Sequence, residues 1–340
     1  MTSTNQAWLD LVIEETLDPD LPICDPHHHL WEFRVERAGH KYLLEDILVD
    51  VNCGHKITST VFIECGAMYR ADKQDPMRVV GETEFVNGIA AMSASGLYGD
   101  TRIAAGIVSA ANLTRGADVG TLLDAHEIAG GGRFRGIRHQ VNWDASPDID
   151  NGRHAYREHM LLDPDFRLGF AELAPRGLSY EAWLFHHQIP ELTNLARAFP
   201  ETTIILNHFG GPLGIGPYAG QLEADFPAWK QKVTELATCP NVVAKLGGIN
   251  MELNGFGWHE QDRPPTSTEL MEATRRYYEH TIEQFGVDRC MFESNFPVDM
   301  VSCSYNVLWN SFKRLTADFS AAEKAALFHD TATRVYRLEN

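Results

Sequence analysis

Positive charge is scarce in this sequence. Its 340 residues carry 29 lysines and arginines against 47 aspartates and glutamates, a formal charge of −18 with histidine neutral. A surface that acidic repels nucleic acid and anionic membranes, so neither is an expected partner. An anionic small molecule is not excluded, because a few local arginines outweigh the global field. Cysteine is sparse as well: Cys24, Cys53, Cys65, Cys239, Cys290 and Cys303 are scattered and form no CxxC pair. That pattern excludes a zinc knuckle and a thioredoxin-type motif, and reduced thiols of a cytoplasmic protein are the expectation. No apolar run reaches the length of a membrane span. The N-terminal stretch is polar, then acidic at Glu14, Glu15, Asp18 and Asp20, so no secretory leader is expected. A Gly-rich dinucleotide fingerprint after an early strand is also missing; Gly210-Gly211 follows a late strand and opens no evident helix.

What is present is an alternation. After a helical lead-in over residues 1–20, apolar, β-branched segments fall at 22–29, 57–64, 102–108, 134–140, 180–186, 203–208, 241–246 and 289–295. A loop runs from the first segment to about 45. Helical stretches separate most of the others, near 77–95, 118–129, 222–238 and 267–285, with two more at 304–316 and 320–336. Eight βα units with no low-complexity break predict an α/β fold, a (β/α)8 TIM barrel spanning residues 1–340 as a single domain. A doubly wound sheet is the alternative.

Barrel chemistry gathers at the C-terminal ends of the strands. His27 and His29 end the first segment and share a face, since side chains alternate along a strand; His28 points to the other face. Glu64, Arg138 and His139, His186 and His187, His208, Lys245 and Asn295 close later segments. Ionisable groups at so many strand ends are costly unless paired or used.

The motifs Asp25-Pro26-His27-His28-His29-Leu30-Trp31, Val61-Phe62-Ile63-Glu64-Cys65-Gly66-Ala67-Met68-Tyr69-Arg70, Phe134-Arg135-Gly136-Ile137-Arg138-His139, Leu206-Asn207-His208-Phe209-Gly210-Gly211-Pro212 and Met291-Phe292-Glu293-Ser294-Asn295-Phe296-Pro297-Val298-Asp299 occur in that order. The chain thereby resembles the amidohydrolase superfamily, in particular its amidohydrolase-2 branch of 2-pyrone-4,6-dicarboxylate lactonase-like and sugar-lactone hydrolases. The resemblance implies the distorted barrel of that superfamily. It also implies His27, His29 and His208 as catalytic residues, and His27, His29, His186 and His208 as metal ligands, with His187 the alternative fifth-strand histidine. The eighth strand normally supplies an aspartate; here Asn295 stands in its place, a catalytic residue that can orient a water or donate to a substrate oxygen but cannot accept a proton from water. Asp299 is then the better-placed base and Glu293 the other candidate.

Glu64, Tyr69, Arg70, Arg138, His139 and Lys245 are expected to bind substrate, the arginines by forking a carboxylate. Tyr69, Trp31 and Trp143 are candidates for pocket walls. Histidine-rich sites suit a divalent ion, zinc or manganese, whereas the missing aspartate at 295 argues against tight binding, so the metal stays open. No organic cofactor is implied. The expected activity is hydrolysis of a small carboxylated lactone; metal-dependent non-oxidative decarboxylation and a barrel that only binds ligand are the alternatives. A homodimer fits as well as a monomer.

Overall fold

The computed structural model describes residues 4–32, 41–152 and 157–338; residues 33–40 of the expected first loop lie outside them. Eight parallel strands form one sheet in sequence order: β1 (Pro22–His28), β2 (Lys56–Ile63), β3 (Arg102–Ala110), β4 (Phe134–Arg138), β5 (Ser179–Ala182), β6 (Ile204–Leu206), β7 (Val242–Leu246) and β8 (Cys290–Phe292). Beyond β8 the chain returns to β1, where Asn295 N donates to His27 O at 2.9 Å and His29 N to Phe296 O at 2.8 Å. These contacts bring the first and last strands together as a nearly closed (β/α)8 barrel.

Local chemistry sets the helix ends. Thr266 and Glu269 cap the helix Ser267–Phe285 reciprocally. Asp163 accepts from Phe166 N ahead of Pro164, which opens the helix Pro164–Phe170. The expected strand segments at 180–186 and 289–295 run past the observed strands: β5 stops at Ala182 and β8 at Phe292. The residues beyond them leave the ladder and form the floor and walls of the barrel mouth. Of the lead-in expected over 1–20, the structure shows the helix Thr4–Leu9.

The barrel interior is closed from below by the chain's C-terminal segment. Ala332, Tyr336 and Leu338 pack against Cys24, Val61, Val108, Ile205, Val243 and Met291 from the strands. Among the described residues, no helix is long and apolar enough to cross a membrane.

Candidate active site

At the C-terminal mouth of the barrel lies a cavity of about 630 Å³. Its lining includes His29, Arg138, Gln140, Trp183, His208 and Asn295. His27 is fully buried immediately beneath, its ring 4.6 Å from that of His208 and 5.0 Å from that of His29.

Hydrogen bonds decide which nitrogen each imidazole offers. His29 Nδ1 lies 2.8 Å from Ile63 O, while its Nε2 is 3.4 Å from Asn295 Oδ1. A neutral imidazole has one N–H, and the shorter contact to a carbonyl claims it. Nε2 of His29 is therefore an acceptor at the cavity wall. His208 Nδ1 lies 2.7 Å from Glu293 Oε1. With the proton on Nδ1 donated to that carboxylate, Nε2 of His208 is its free lone pair. The backbone is strained at two of these positions: His208 and Asn295 have φ of 50° and 55°, values that non-glycine residues seldom adopt.

Below this layer sits a buried charge network. Lys245 Nζ is 2.9 Å from Glu181 and 3.2 Å from His27 Nδ1. Glu181 also accepts from Asn207 and from the Tyr336 hydroxyl. Lys245, Glu181 and Glu293 are all 0% exposed, so each charge depends on its neighbours. Burial, followed by the fields of Lys245 and of the other histidines, holds His27 well below the usual histidine range. It is therefore neutral, with one lone pair and one N–H to share among Lys245, Arg138 and Glu293. His27 Nδ1 and Glu293 Oε2 lie 2.7 Å apart, yet the oxygen takes no hydrogen bond of sound geometry. That spacing suits either the imidazole proton on Nδ1 or a cation between the two atoms. One ring nitrogen each from His27 and His208 and a carboxylate oxygen of Glu293 lie within 4.8 Å of one another, the one such group among the described residues. The two nitrogens and one oxygen suit a divalent transition metal.

Two glycines make room for this arrangement. A Cβ on Gly247 would sit 2.6 Å from Glu293 Cγ, and one on Gly248 (φ 66°) would fall inside the His208 ring. A glycine pair directly after a strand is a sequence sign of close approach, and it points to Glu293, which sequence reasoning ranked below Asp299.

The structure relocates several expected residues. His186 does not reach the His27–His208 group: its Nδ1 accepts from Leu213 N at 3.4 Å and its ring packs on Tyr218. β5 ends four residues earlier, and Trp183, set edge-on to His208 at 5.0 Å, takes the place by the site. His187 bonds Trp143 O at 2.8 Å instead. Arg70 is exposed and pairs with Glu84. Asp299 lies behind the site and accepts from Asn295 Nδ2 at 2.8 Å; burial raises its pKa to about 7. Lys245 lies beneath the cavity rather than on its wall. Arg138 does line it, but Nε donates to Glu64 Oε1 at 2.8 Å and Nη2 to Glu64 O, while Nη1 faces His27 Nε2 at 3.5 Å. Tyr69, Glu64 and His139 line an adjoining chamber. Trp31 is fully buried, and His28 faces outward onto Thr60 Oγ1 at 2.8 Å.

Comparisons with known proteins agree with this architecture. An uncharacterized protein of Sinorhizobium fredii is 35% identical over 94% of this chain and 99% of its own. An L-fucono-1,5-lactonase of Burkholderia multivorans is 28% identical over 61% of this chain and 64% of its own. A crystallised Burkholderia multivorans amidohydrolase, solved with bound HEPES and with bound zinc, superposes with a TM-score of 0.70 at 24% identity, covering 93% of this chain and 99% of its own. The amidohydrolase family model matches residues 24–338; with that span matched and the barrel in place, the chain belongs to the amidohydrolase family and is a hydrolase of that family.

Proposed function

We propose that the protein hydrolyses a small lactone that carries a carboxylate. The observation that carries this is the Glu293–His208 pair, 2.7 Å apart at the floor of the mouth, because it gives a general base without a carboxylate at 295. The L-fucono-1,5-lactonase of Burkholderia multivorans and the L-rhamnono-gamma-lactonase of Scheffersomyces stipitis, 28% and 26% identical over their matched parts, support a ring ester as substrate.

In this scheme a water between His208 Nε2 and His29 Nε2 gives its proton to His208. Glu293 stabilises the imidazolium that forms, as a buried carboxylate does for a catalytic histidine. The water oxygen attacks the ring carbonyl, and the oxyanion faces the Arg138 guanidinium on the cavity wall. The tetrahedral centre collapses, the ring C–O bond breaks, and His208 returns its proton to the leaving alkoxide. Trp183 walls the cavity beside His208. In place of the proton that His208 shares with Glu293, His27, His208 and Glu293 are the residues that would hold a divalent metal, and the zinc in the Burkholderia multivorans amidohydrolase supports that assignment. Such an ion, zinc or manganese, supplies Lewis acidity and lowers the pKa of a bound water to about 7.

The test is a panel of sugar lactones and carboxylated lactones, assayed by proton release with wild type and His208→Asn. Hydrolysis of at least one lactone, abolished in a folded His208→Asn protein, is expected. A panel left unhydrolysed with added zinc or manganese as well as without would sink the reading.

A further inference from the structure

The arginine expected to fork a substrate carboxylate is already engaged. Arg138 donates from Nε to the Glu64 carboxylate and from Nη2 to the Glu64 backbone carbonyl, and Gln140 adds a second bond to that carboxylate at 2.6 Å. An anionic group entering the mouth needs other cations. They stand in the adjoining chamber of about 390 Å³, formed by the loops after β2, β3 and β4. Arg138 and Gln140 line both spaces, so the chamber is a lateral extension of the mouth.

Lys73, Arg78 and Arg115 line this chamber, and among the described residues none of the three has a carboxylate partner. Arg70, Arg157, Arg176, Arg197, Arg263 and Arg275 each meet a carboxylate. Two acids line the chamber: Glu64 is held by Arg138, and Asp75 accepts from Met77 N at 2.8 Å as the cap of a short helical turn. Arg78 is half-buried and held in place: its guanidinium carbon lies 5.1 Å over the Tyr69 ring, and Nε is 3.4 Å from Arg70 O. Among the described residues neither terminal nitrogen has a hydrogen-bond partner, so both are left for a ligand. A guanidinium stacked on a ring and fixed through Nε is pre-organised to take two oxygens in parallel.

We propose that this chamber seats the carboxylate of the substrate, with Arg78 and Arg115 as its anchors and Lys73 as a third cation at the rim. The ring ester then lies at the mouth, with Arg138 between the two spaces. The proposal rests on the hydrolase reading only for what the carboxylate is attached to; seating of the anion stands on the chamber alone.

The test is calorimetric titration of the protein with glutarate, and with its neutral diamide, at fixed ionic strength. Wild type is expected to bind glutarate at least tenfold more tightly than the diamide. Arg78→Gln and Arg115→Gln should each weaken glutarate about tenfold, the loss expected for one charge-assisted hydrogen bond. Arg70→Gln, which changes an exposed arginine already paired with Glu84, should bind as wild type does. Glutarate should also inhibit lactone hydrolysis competitively, with Arg115→Gln raising KM for carboxylated lactones and leaving neutral ones unchanged. Equal glutarate affinity in wild type, Arg78→Gln and Arg115→Gln would overturn the chamber, as would no binding at tens of millimolar. Binding that leaves hydrolysis of carboxylated lactones untouched would overturn the substrate assignment in favour of a free anion. If no lactone is turned over but both variants lose glutarate, the chamber stands and the lactone reading falls.

Discussion

Glu293→Gln removes one charge and almost no volume. In the wild type its two oxygens lie 2.7 Å from His208 Nδ1 and 2.7 Å from His27 Nδ1, and Lys245 is 4.0 Å away. The carboxylate is 0% exposed, so water does not screen it. When His208 takes a proton, an imidazolium forms against this carboxylate. Between charge centres about 4 Å apart, a unit charge pair is worth about 4 kcal/mol at an effective dielectric of ~20. A neutral amide keeps part of this as a hydrogen bond, leaving a net loss of about 3 kcal/mol, or a fall in kcat of roughly 10²-fold. The fall should appear in kcat and kcat/KM together, because the interaction strengthens only as the proton arrives. Lactone ring opening followed with a pH indicator measures it, with thermal melting to show that the variant is folded. Glu293→Asp is the companion variant: it keeps the charge but withdraws it by one methylene, and should also fall at least tenfold. Folded Glu293→Gln with kcat within about threefold of wild type would refute the base assignment, since a general base is worth about 10²–10⁴-fold.

Gly248→Ala places a methyl group against the His208 ring; lactone turnover should drop at least tenfold while far-UV circular dichroism stays unchanged. Lys245→Met leaves Glu181 buried without its counter-ion and should cost about 3–5 kcal/mol in urea unfolding; Glu181→Gln in the same chain should recover a large part, and additive losses would count against the pair. His126, buried between Thr83 Oγ1 at 2.8 Å and Ala110 O at 3.0 Å, has its pKa lowered by burial to about 4. Its folded state stays neutral while the unfolded chain takes a proton near pH 6.5. The stability it contributes is thus complete above 6.5 and lost as pH falls from 6.5 towards 4. Wild type should lose about 3 kcal/mol more than His126→Gln over that window, by urea unfolding; parallel curves would show that His126 does not titrate as stated.

The barrel was legible because period and composition agree along the whole chain. Strands such as Ile204–Leu206 and Val242–Leu246 are buried on every residue and read as short apolar runs. Their exact ends were not legible. Propensity carries Trp183-Leu184-Phe185 on as strand, whereas the chain leaves the ladder after Ala182, and that difference moves His186 away from the site. Alternation along the first segment was enough to set His27 and His29, whose rings lie 5.0 Å apart, opposite His28, which bonds Thr60. Glu293, Glu181 and Tyr336 were harder, since their roles arise where β5, β7, β8 and the C-terminal segment converge, and no local pattern carries that distance. Arg70 was chosen for its place in a motif; only the fold shows that Glu84 occupies it and that Arg78 and Arg115 line the chamber.

Asn295 is the residue whose meaning the structure changes most. By sequence it marks a missing carboxylate, so that Asn295→Asp should restore a metal ligand and tighten metal binding. In the structure its amide Nδ2 donates to Asp299 Oδ1 at 2.8 Å, and Asn250 N approaches the other Asp299 oxygen at 3.2 Å. An aspartate at 295 would put two carboxyl oxygens at hydrogen-bond distance in a site where Asp299 already has its pKa raised to about 7. Such a pair holds one proton between them and resists losing it. Asn295→Asp should therefore melt well below wild type at pH 8, by about 2–4 kcal/mol of stability, and recover part of that at pH 5, where the shared proton is retained. Its zinc affinity should not rise, because the carboxylate that faces the histidines is at 293. Glu293→Gln, in contrast, should weaken zinc binding at least tenfold in a direct titration. If Asn295→Asp instead bound zinc tenfold more tightly with its stability intact, position 295 would be the ligand site after all, and Glu293 a structural neighbour of the histidines.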